Sequence, residues 1–88
     1  MSTLETLSSG QSATISALEG KGAEIQRLLE MGLLPGESVE LIGRAPLGDP
    51  LAIYARGGRL AIRKADARRI RISIQLDLHD ASTPARPG

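Results

Sequence analysis

Cysteine, phenylalanine and tryptophan are absent from this 88-residue chain, and histidine and tyrosine occur once each, as His79 and Tyr54. Without cysteine there can be no disulfide and no thiolate metal site, and a reducing compartment is expected. A Ser-His-Asp triad or a histidine-rich metal site would have to use His79 alone, close to the C-terminal end. These absences argue against most classes of enzyme, so we expect a protein that is not an enzyme and has no cofactor.

Long hydrophobic runs are also absent. No apolar stretch approaches the roughly 20 residues that cross a bilayer as a helix. The first ten residues lack the basic start and the apolar centre of a signal peptide. We therefore expect a cytoplasmic protein. We also expect a single domain, because 88 residues with 41% apolar side chains suffice for one small core.

Charge is distributed unevenly behind a net value of +1. Residues 1–50 carry three basic against seven acidic side chains, and residues 51–88 carry eight against three. Five arginines of the second half share one outward parity and are expected on adjacent strands: Arg56, Arg59, Arg63, Arg69 and Arg71. They are read either as a docking face for an acidic partner or as a solvated sheet face. Tyr54 alone cannot supply the stacking aromatics of a nucleic-acid platform.

Apolar spacing predicts one short helix and five strands. Ile25, Leu28 and Leu29 recur at helical spacing within residues 23–31, and Gly32 is placed to end that helix in the left-handed conformation. Alternation with period two predicts strands at residues 12–18, 38–44, 51–56, 59–63 and 69–76. Gly57-Gly58 is interpreted as a hairpin turn, and residues 64–67 as a single helical turn.

Two segments of the chain echo each other. Residues 7–15 and 33–41 both read as an apolar residue, a turn closed by glycine, Gln or Glu, Ser, and an alternating strand. Two copies are too few for a solenoid. We interpret both as a tight turn that leads into a strand.

Five strands with tight links and one short helix after the first strand describe a mainly β protein. The single helical turn before the last strand favours an SH3-like, five-stranded, partly open barrel over an OB-like one. Residues 1–76 are assigned to this domain. Residues 77–88, rich in Asp, Ala, Ser, Thr and Pro, are predicted to be a disordered tail.

Four stretches then carry a resemblance that covers about residues 4–74. They are residues 4–15, 27–40, 44–53 and 57–64, the last followed by Ala67 and Ile70. The most specific motif is Ala-Pro-Leu-Gly-Asp-Pro at residues 45–50, ahead of an alternating strand. Together they make the chain resemble the FeoA family, ferrous iron transport protein A of bacteria.

The resemblance implies an SH3-like barrel and a cytoplasmic accessory protein that regulates iron uptake. Its partner would be FeoB, a membrane ferrous iron transporter with a cytoplasmic G-protein domain, and membrane contact would come only through that partner, at the inner face. The alternative is a stand-alone metal-sensor-type SH3-like domain that binds a transition metal ion or a regulator peptide. A third hypothesis, an RNA- or ribosome-associated barrel, depends only on the arginines; we expect no nucleic acid partner.

The candidate partner-binding residues are the five arginines and four apolar residues beside turns. The apolar ones are Met31, Leu33, Leu34 and Leu47. Those that stay exposed would form a patch suited to a partner or to weak self-association. Asp77, His79 and Asp80 offer a weak set of metal ligands that a second chain would have to complete. Asp49 is expected to hydrogen-bond to its own backbone in a turn.

Overall fold

The computed structural model describes residues 2–74 as one antiparallel sheet with two short helices. The strands are β1 (Ser2–Thr3), β2 (Ser12–Leu18), β3 (Ser38–Arg44), β4 (Leu51–Ala55), β5 (Gly58–Ile62) and β6 (Ile70–Ile74). The helices are α1 (Ala23–Glu30), between β2 and β3, and α2 (Lys64–Ala67), between β5 and β6. A single 3₁₀ turn, Leu4–Thr6, follows β1.

The six strands lie in the order β1-β6-β2-β3-β4-β5, so among the described residues the sheet has two open edges, β1 and β5. The predicted count of five strands is wrong by one. The additional strand β1 has only two residues, too few to show any alternation, and it is held by pairing with β6. Consequently α1 follows the second strand of the chain rather than the first.

The period-two pattern places the core on one face of the sheet. In β4, Leu51, Ile53 and Ala55 are buried while Ala52 and Tyr54 face outward. Fifteen buried hydrophobic residues form one cluster, all between Leu4 and Ile72 of the chain. The predicted bounds of β2, β3 and the helical turn α2 are confirmed. The predicted end of the last strand and the predicted tail at residues 77–88 lie outside the described residues.

The two echoing segments pair with each other about a local two-fold relation. The backbone N–H of Gly10 donates to the carbonyl of Leu41 at 2.7 Å. The equivalent N–H of the other copy, from Gly36, donates to the carbonyl of Ile15, also at 2.7 Å. Each turn therefore holds the strand that its counterpart leads into.

The end of α1 explains the burial of Leu33. The N–H of Gly32 donates to Leu29 and the N–H of Leu33 donates to Leu28, which is a Schellman motif with Gly32 at φ +89°. The prediction for Gly32 is confirmed. In this motif the residue after the glycine packs against the last turn of the helix, and Leu33 and Leu28 are both 0% exposed. Leu33 belongs to the core and is not available to a partner, contrary to its place among the candidates.

The hairpin between β4 and β5 turns one residue earlier than predicted. Ala55 pairs with Gly58, so the two turn residues are Arg56 and Gly57. Both have positive φ, +53° and +80°, as a type I′ turn requires. The pair Gly57-Gly58 misled the prediction because arginine is a rare choice at such a φ.

Candidate partner-binding surface

The five candidate arginines do not lie on adjacent strands. Arg59 lies in β5 and Arg63 directly follows it, whereas Arg71 lies in β6 and Arg69 directly precedes it. Strands β2, β3 and β4 separate β5 from β6 in the sheet. The expectation of one continuous arginine face is wrong, because α2 carries the chain to a strand that is not a neighbour of β5.

Three of the five arginines are neutralised by acidic side chains. Arg56 pairs with Glu37 at 3.0 Å, Arg69 pairs with Glu24 at 3.7 Å, and Arg71 pairs with Glu19. These ion pairs compensate most of the positive charge of the three arginines within the molecule. Because the pairs are exposed to solvent, they add little to the free energy of unfolding.

Arg59 and Arg63 differ from the other three. Both are exposed, and neither forms an ion pair with any residue in the part of the chain that the structure describes. On the outer face Arg59 lies opposite Tyr54, which in turn lies opposite Glu40. These two arginines are the members of the predicted basic set whose charge no ion pair within residues 2–74 compensates.

The apolar candidates fall into different places. Leu47 is 94% exposed at the tip of the β3–β4 loop, and Leu34 is 40% exposed after α1. Met31, the cap residue of α1, is half-buried against the core. Leu47 is thus the candidate whose side chain contributes most apolar surface to solvent.

A cleft between α1 and the end of β5 brings two of the candidates together. It has a volume of about 320 Å³, and Met31 and Arg63 both line it. On its wall Arg27 donates from Nη2 to both carboxylate oxygens of Asp66, at 3.1 Å each. Asp66 is a buried carboxylate, and this pairing supplies its opposite charge.

A second, shallow depression lies on the outer face of β3 and β4, and sequence reasoning missed it. Its volume is about 350 Å³. The lining is mostly of small residues: Gly43, Arg44, Ala45, Pro50, Leu51, Ala52 and Ala61. Arg44 donates from its guanidinium to the carbonyls of Glu5 and Leu7, at 2.5 and 2.8 Å, rather than to a carboxylate. Gly43, Ala52 and Ala61 come together only through the pairing of β3, β4 and β5, so no local pattern in the sequence marks this depression.

Asp49 has a different role from the one predicted. Its Oδ1 accepts a hydrogen bond from the backbone N–H of Lys64 at 2.9 Å. Asp49 therefore caps the first turn of α2, whereas the sequence predicted a bond to the backbone of its own turn. The β3–β4 loop is thereby tied to α2, with Leu47 left at its exposed tip.

Metal ligation finds no support in the described residues. Residues 2–74 contain no group of three or more His, Asp or Glu side chains arranged to hold a metal ion. The proposed intermolecular ligands Asp77, His79 and Asp80 lie outside the described residues. In the same part of the chain, no helix is long and apolar enough to cross a membrane.

Comparison with known proteins gives one consistent match. The family model for the FeoA domain matches residues 2–74. The chain is 32% identical over 82 residues to a Fe(2+) transport protein A/Fe(2+) transporter FeoB fusion protein of Porphyromonas gingivalis. This alignment covers 93% of the chain and 10% of the relative.

Solved structures agree with the family match. Iron(II) transport protein A from Clostridium thermocellum is 34% identical with a TM-score of 0.80, covering 83% of this chain and 45% of that one. The FeoA of Stenotrophomonas maltophilia, a prokaryotic SH3 domain protein solved with zinc, is 28% identical with a TM-score of 0.72, covering 83% and 91%. The chain thus spans a tenth of the Porphyromonas gingivalis protein and less than half of the first of these solved chains.

A manganese-dependent transcriptional repressor is also similar in structure, with a TM-score of 0.78 over 84% of this chain and 36% of that one. Its sequence identity is 10%, so the likeness extends to the fold alone.

Proposed function

The chain belongs to the FeoA family, and from this we propose that it is a non-catalytic accessory protein of ferrous iron transport that acts by contact with a FeoB-type transporter. The observation that carries the proposal is the Porphyromonas gingivalis relative, in which both proteins form one chain. Fusion keeps two partners at a high effective concentration, which is useful when they work in contact. In this proposal the chain acts in the cytoplasm and reaches the membrane through the transporter.

The side-chain chemistry of residues 2–74 supports a binding role. Neither cysteine nor histidine occurs there. Five of the acidic side chains are engaged by arginine: Glu5, Glu19, Glu24, Glu37 and Asp66. These five carboxylates therefore already have partners within the chain.

The contact surface in this proposal consists of Arg59, Arg63 and Leu47. The two arginines keep an uncompensated positive charge, which would speed the encounter with an acidic surface. The exposed side chain of Leu47 would bury apolar area in the complex and so slow its dissociation. Charge and apolar area thus act on different rate constants.

Surface plasmon resonance against the cytoplasmic region of a FeoB-type transporter tests this proposal. The double variant Arg59→Glu/Arg63→Glu is expected to lower the association rate about tenfold at low salt and to flatten its salt dependence. Leu47→Asp is expected to raise the dissociation rate. The single variant Arg59→Glu is measured as well, and its control is Lys21→Glu, which changes one exposed charge outside the β5 region and is expected to have the smaller effect.

Absence of binding by the unmodified chain would overturn the proposed function. Unchanged kinetics for both the double arginine variant and Leu47→Asp would instead place the contact elsewhere, with Met31 and Leu34 as the next positions to test. Calorimetry with Fe²⁺, Mn²⁺ and Zn²⁺ separates the alternative role of a metal-binding sensor domain, which predicts a saturable heat of binding by this chain alone.

A further inference from the structure

Strand β5 lies at the edge of the sheet, and the backbone N–H and C=O groups along its free edge are not paired with another strand of the described residues. It pairs with β4 along its whole length, Gly58–Ile62, and the structure describes no strand on its other side. An exposed edge of this kind can pair with an extended segment of another chain.

The register of the hairpin shows which backbone groups are on the open side. Ala55 and Gly58 flank a two-residue turn, so they form a hydrogen-bonded pair, in which the backbone groups of each residue point toward the other strand. Hydrogen-bonded and open positions alternate along an antiparallel pair. The backbone N–H and C=O of Leu60 therefore point toward β4, as those of Gly58 do. The backbone N–H and C=O of Arg59 and Ala61 point toward the open edge.

The space beside this edge is suited to an extended chain. Ala61, Ile62 and Arg63 line the cleft of about 320 Å³ together with Met31, the cap residue of α1. A strand added to β5 would place alternate side chains toward this cleft and toward the outer face. The cleft side offers partly apolar surface. Arg59 lies on the outer face, and Arg63, which has the same strand parity, also lines the cleft.

The positive charges of Arg59 and Arg63 determine which kind of segment can pair with β5. A second copy of this chain would bring the arginines of two β5 strands close together. In the antiparallel register centred on Ala61, for example, Arg59 lies opposite the second copy's Arg63. Directly opposed like charges destabilise a strand pair. An acidic segment has the opposite outcome, because Arg59 and Arg63 have no ion pair within residues 2–74 to compete with it.

We propose that β5 binds an acidic, extended segment of its protein partner as an additional strand of the sheet. Outward-facing positions of that segment carry Asp or Glu against Arg59 and Arg63, and the alternate positions carry apolar side chains toward Met31. This inference rests on the proposed function in that the partner is the transporter, and it adds the mode of binding and the chemistry of the bound segment.

Amide hydrogen exchange on the full chain, with and without the transporter's cytoplasmic region, is the first test. Binding by strand addition protects the amides of Arg59 and Ala61, whose N–H groups lie on the open edge. Protection of these two amides at least about tenfold above the free chain is expected. Binding without protection at β5 overturns the strand addition and leaves the proposed function standing, whereas absence of any binding removes the proposed function itself.

Synthetic peptides test the chemistry without altering the protein. The probe is a capped nine-residue peptide that alternates glutamate with valine, and the matched control replaces each glutamate by lysine. The glutamate peptide is expected to bind at the β5 edge, seen as shifts of the Arg59 and Ala61 amide resonances, and the lysine peptide is not. Equal binding of both peptides, or preferential binding of a single-stranded RNA of the same length, overturns the proposal.

Backbone methylation separates strand pairing from attraction between charges. Two versions of the glutamate peptide are N-methylated, one at every glutamate and one at every valine. Only one of the two sets of N–H groups can face β5, so one version loses the backbone bonds and the other keeps them. An increase in Kd of about tenfold or more for one version is expected. Equal Kd values for both versions would mean that charge alone holds the peptide.

A variant of the chain provides the converse test. Ala61→Pro removes an outward N–H at an edge position where proline is tolerated, and Ala61→Ser retains that N–H. We expect the proline variant alone to lose peptide binding. The circular dichroism spectrum and unfolding midpoint of each variant are measured alongside, and the N-methylated peptides decide the matter if the proline variant does not fold.

Discussion

The residues that most constrain the fold are found where two turns meet. Arg56 has a positive φ in the β4–β5 turn, and its side chain reaches back over the glycine that ends α1 and to Glu37. A Cβ on Gly32 would lie 2.5 Å from Cδ of Arg56. Gly32 is therefore required by its φ of +89°, and a larger residue there would in addition have to displace the flexible side chain of Arg56.

The first prediction separates these two effects. Gly32→Ala is expected to cost about 1–3 kcal/mol of unfolding free energy, because it adds both backbone strain and a clash with Arg56. Gly36→Ala is the control, since Gly36 also has positive φ but a Cβ there meets nothing within 4 Å. Chemical denaturation measures both. The double variant Gly32→Ala/Arg56→Ala should recover the excess, and equal costs for the two alanine variants would show that the contact with Arg56 carries no weight.

Elements with a strong local pattern were predictable, and their partners were not. Alternation alone set the bounds of β2 and β3, since one face of each strand is buried. The echo of residues 7–15 in residues 33–41 indicated a repeated turn. No local pattern in either copy indicated that the two copies pair with each other. β1 is too short to have a period, and the turn at Arg56 depends on contacts distant in sequence.

The site was only partly predictable for the same reason. Arg59, Arg63 and Leu47 were identified from parity and loop position, which are local properties. The burial of Leu33 and the neutralisation of Arg69 and Arg71 depend on α1 and on strand order, which are tertiary properties. The open edge of β5 followed from topology alone.

A prediction at the scale of elements concerns the capping of α2. Asp49→Ala removes the acceptor for the Lys64 N–H and is expected to cost about 0.5–1 kcal/mol, the low end for a helix cap because this bond is exposed. Asp49→Asn keeps a side-chain oxygen and is the control. Urea denaturation gives the free energies, and hydrogen exchange at the Lys64 amide shows whether the cap is lost. An alanine variant as stable as the unmodified chain would mean that water replaces the cap at no cost.

At the scale of the whole molecule, the uneven charge of the sequence is largely an internal arrangement. Every ion pair in the described residues joins the acidic first half to the basic second half or the reverse. The pair between Glu5 and Arg68 spans 63 positions of the chain at 2.7 Å. Of the five arginines that the sequence singled out, only Arg59 and Arg63 have no ion pair within residues 2–74, so a docking surface cannot be inferred from a count of arginines.

The last prediction concerns how much of the chain the fold requires. The strand order brings the end of the described chain back to its beginning, since β6 lies between β1 and β2. The buried cluster ends at Ile72 and the family match ends at residue 74. A chain without residues 78–88 is therefore expected to keep its unfolding free energy within about 0.5 kcal/mol, the range of changes that touch no core.

The matched control for this truncation is a chain that ends at Arg69 and so lacks β6. It removes Ile70 and Ile72 from the core and leaves β1 without a partner, and we expect it to show no cooperative unfolding transition. Thermal melting followed by circular dichroism compares the three chains. A loss of stability well above 0.5 kcal/mol in the longer truncated chain would mean that residues 78–88 contact the domain, and the boundary predicted at residue 76 would then be wrong. If the chain that ends at Arg69 melted cooperatively, β6 would be dispensable, and the sheet order rather than the tail would need revision.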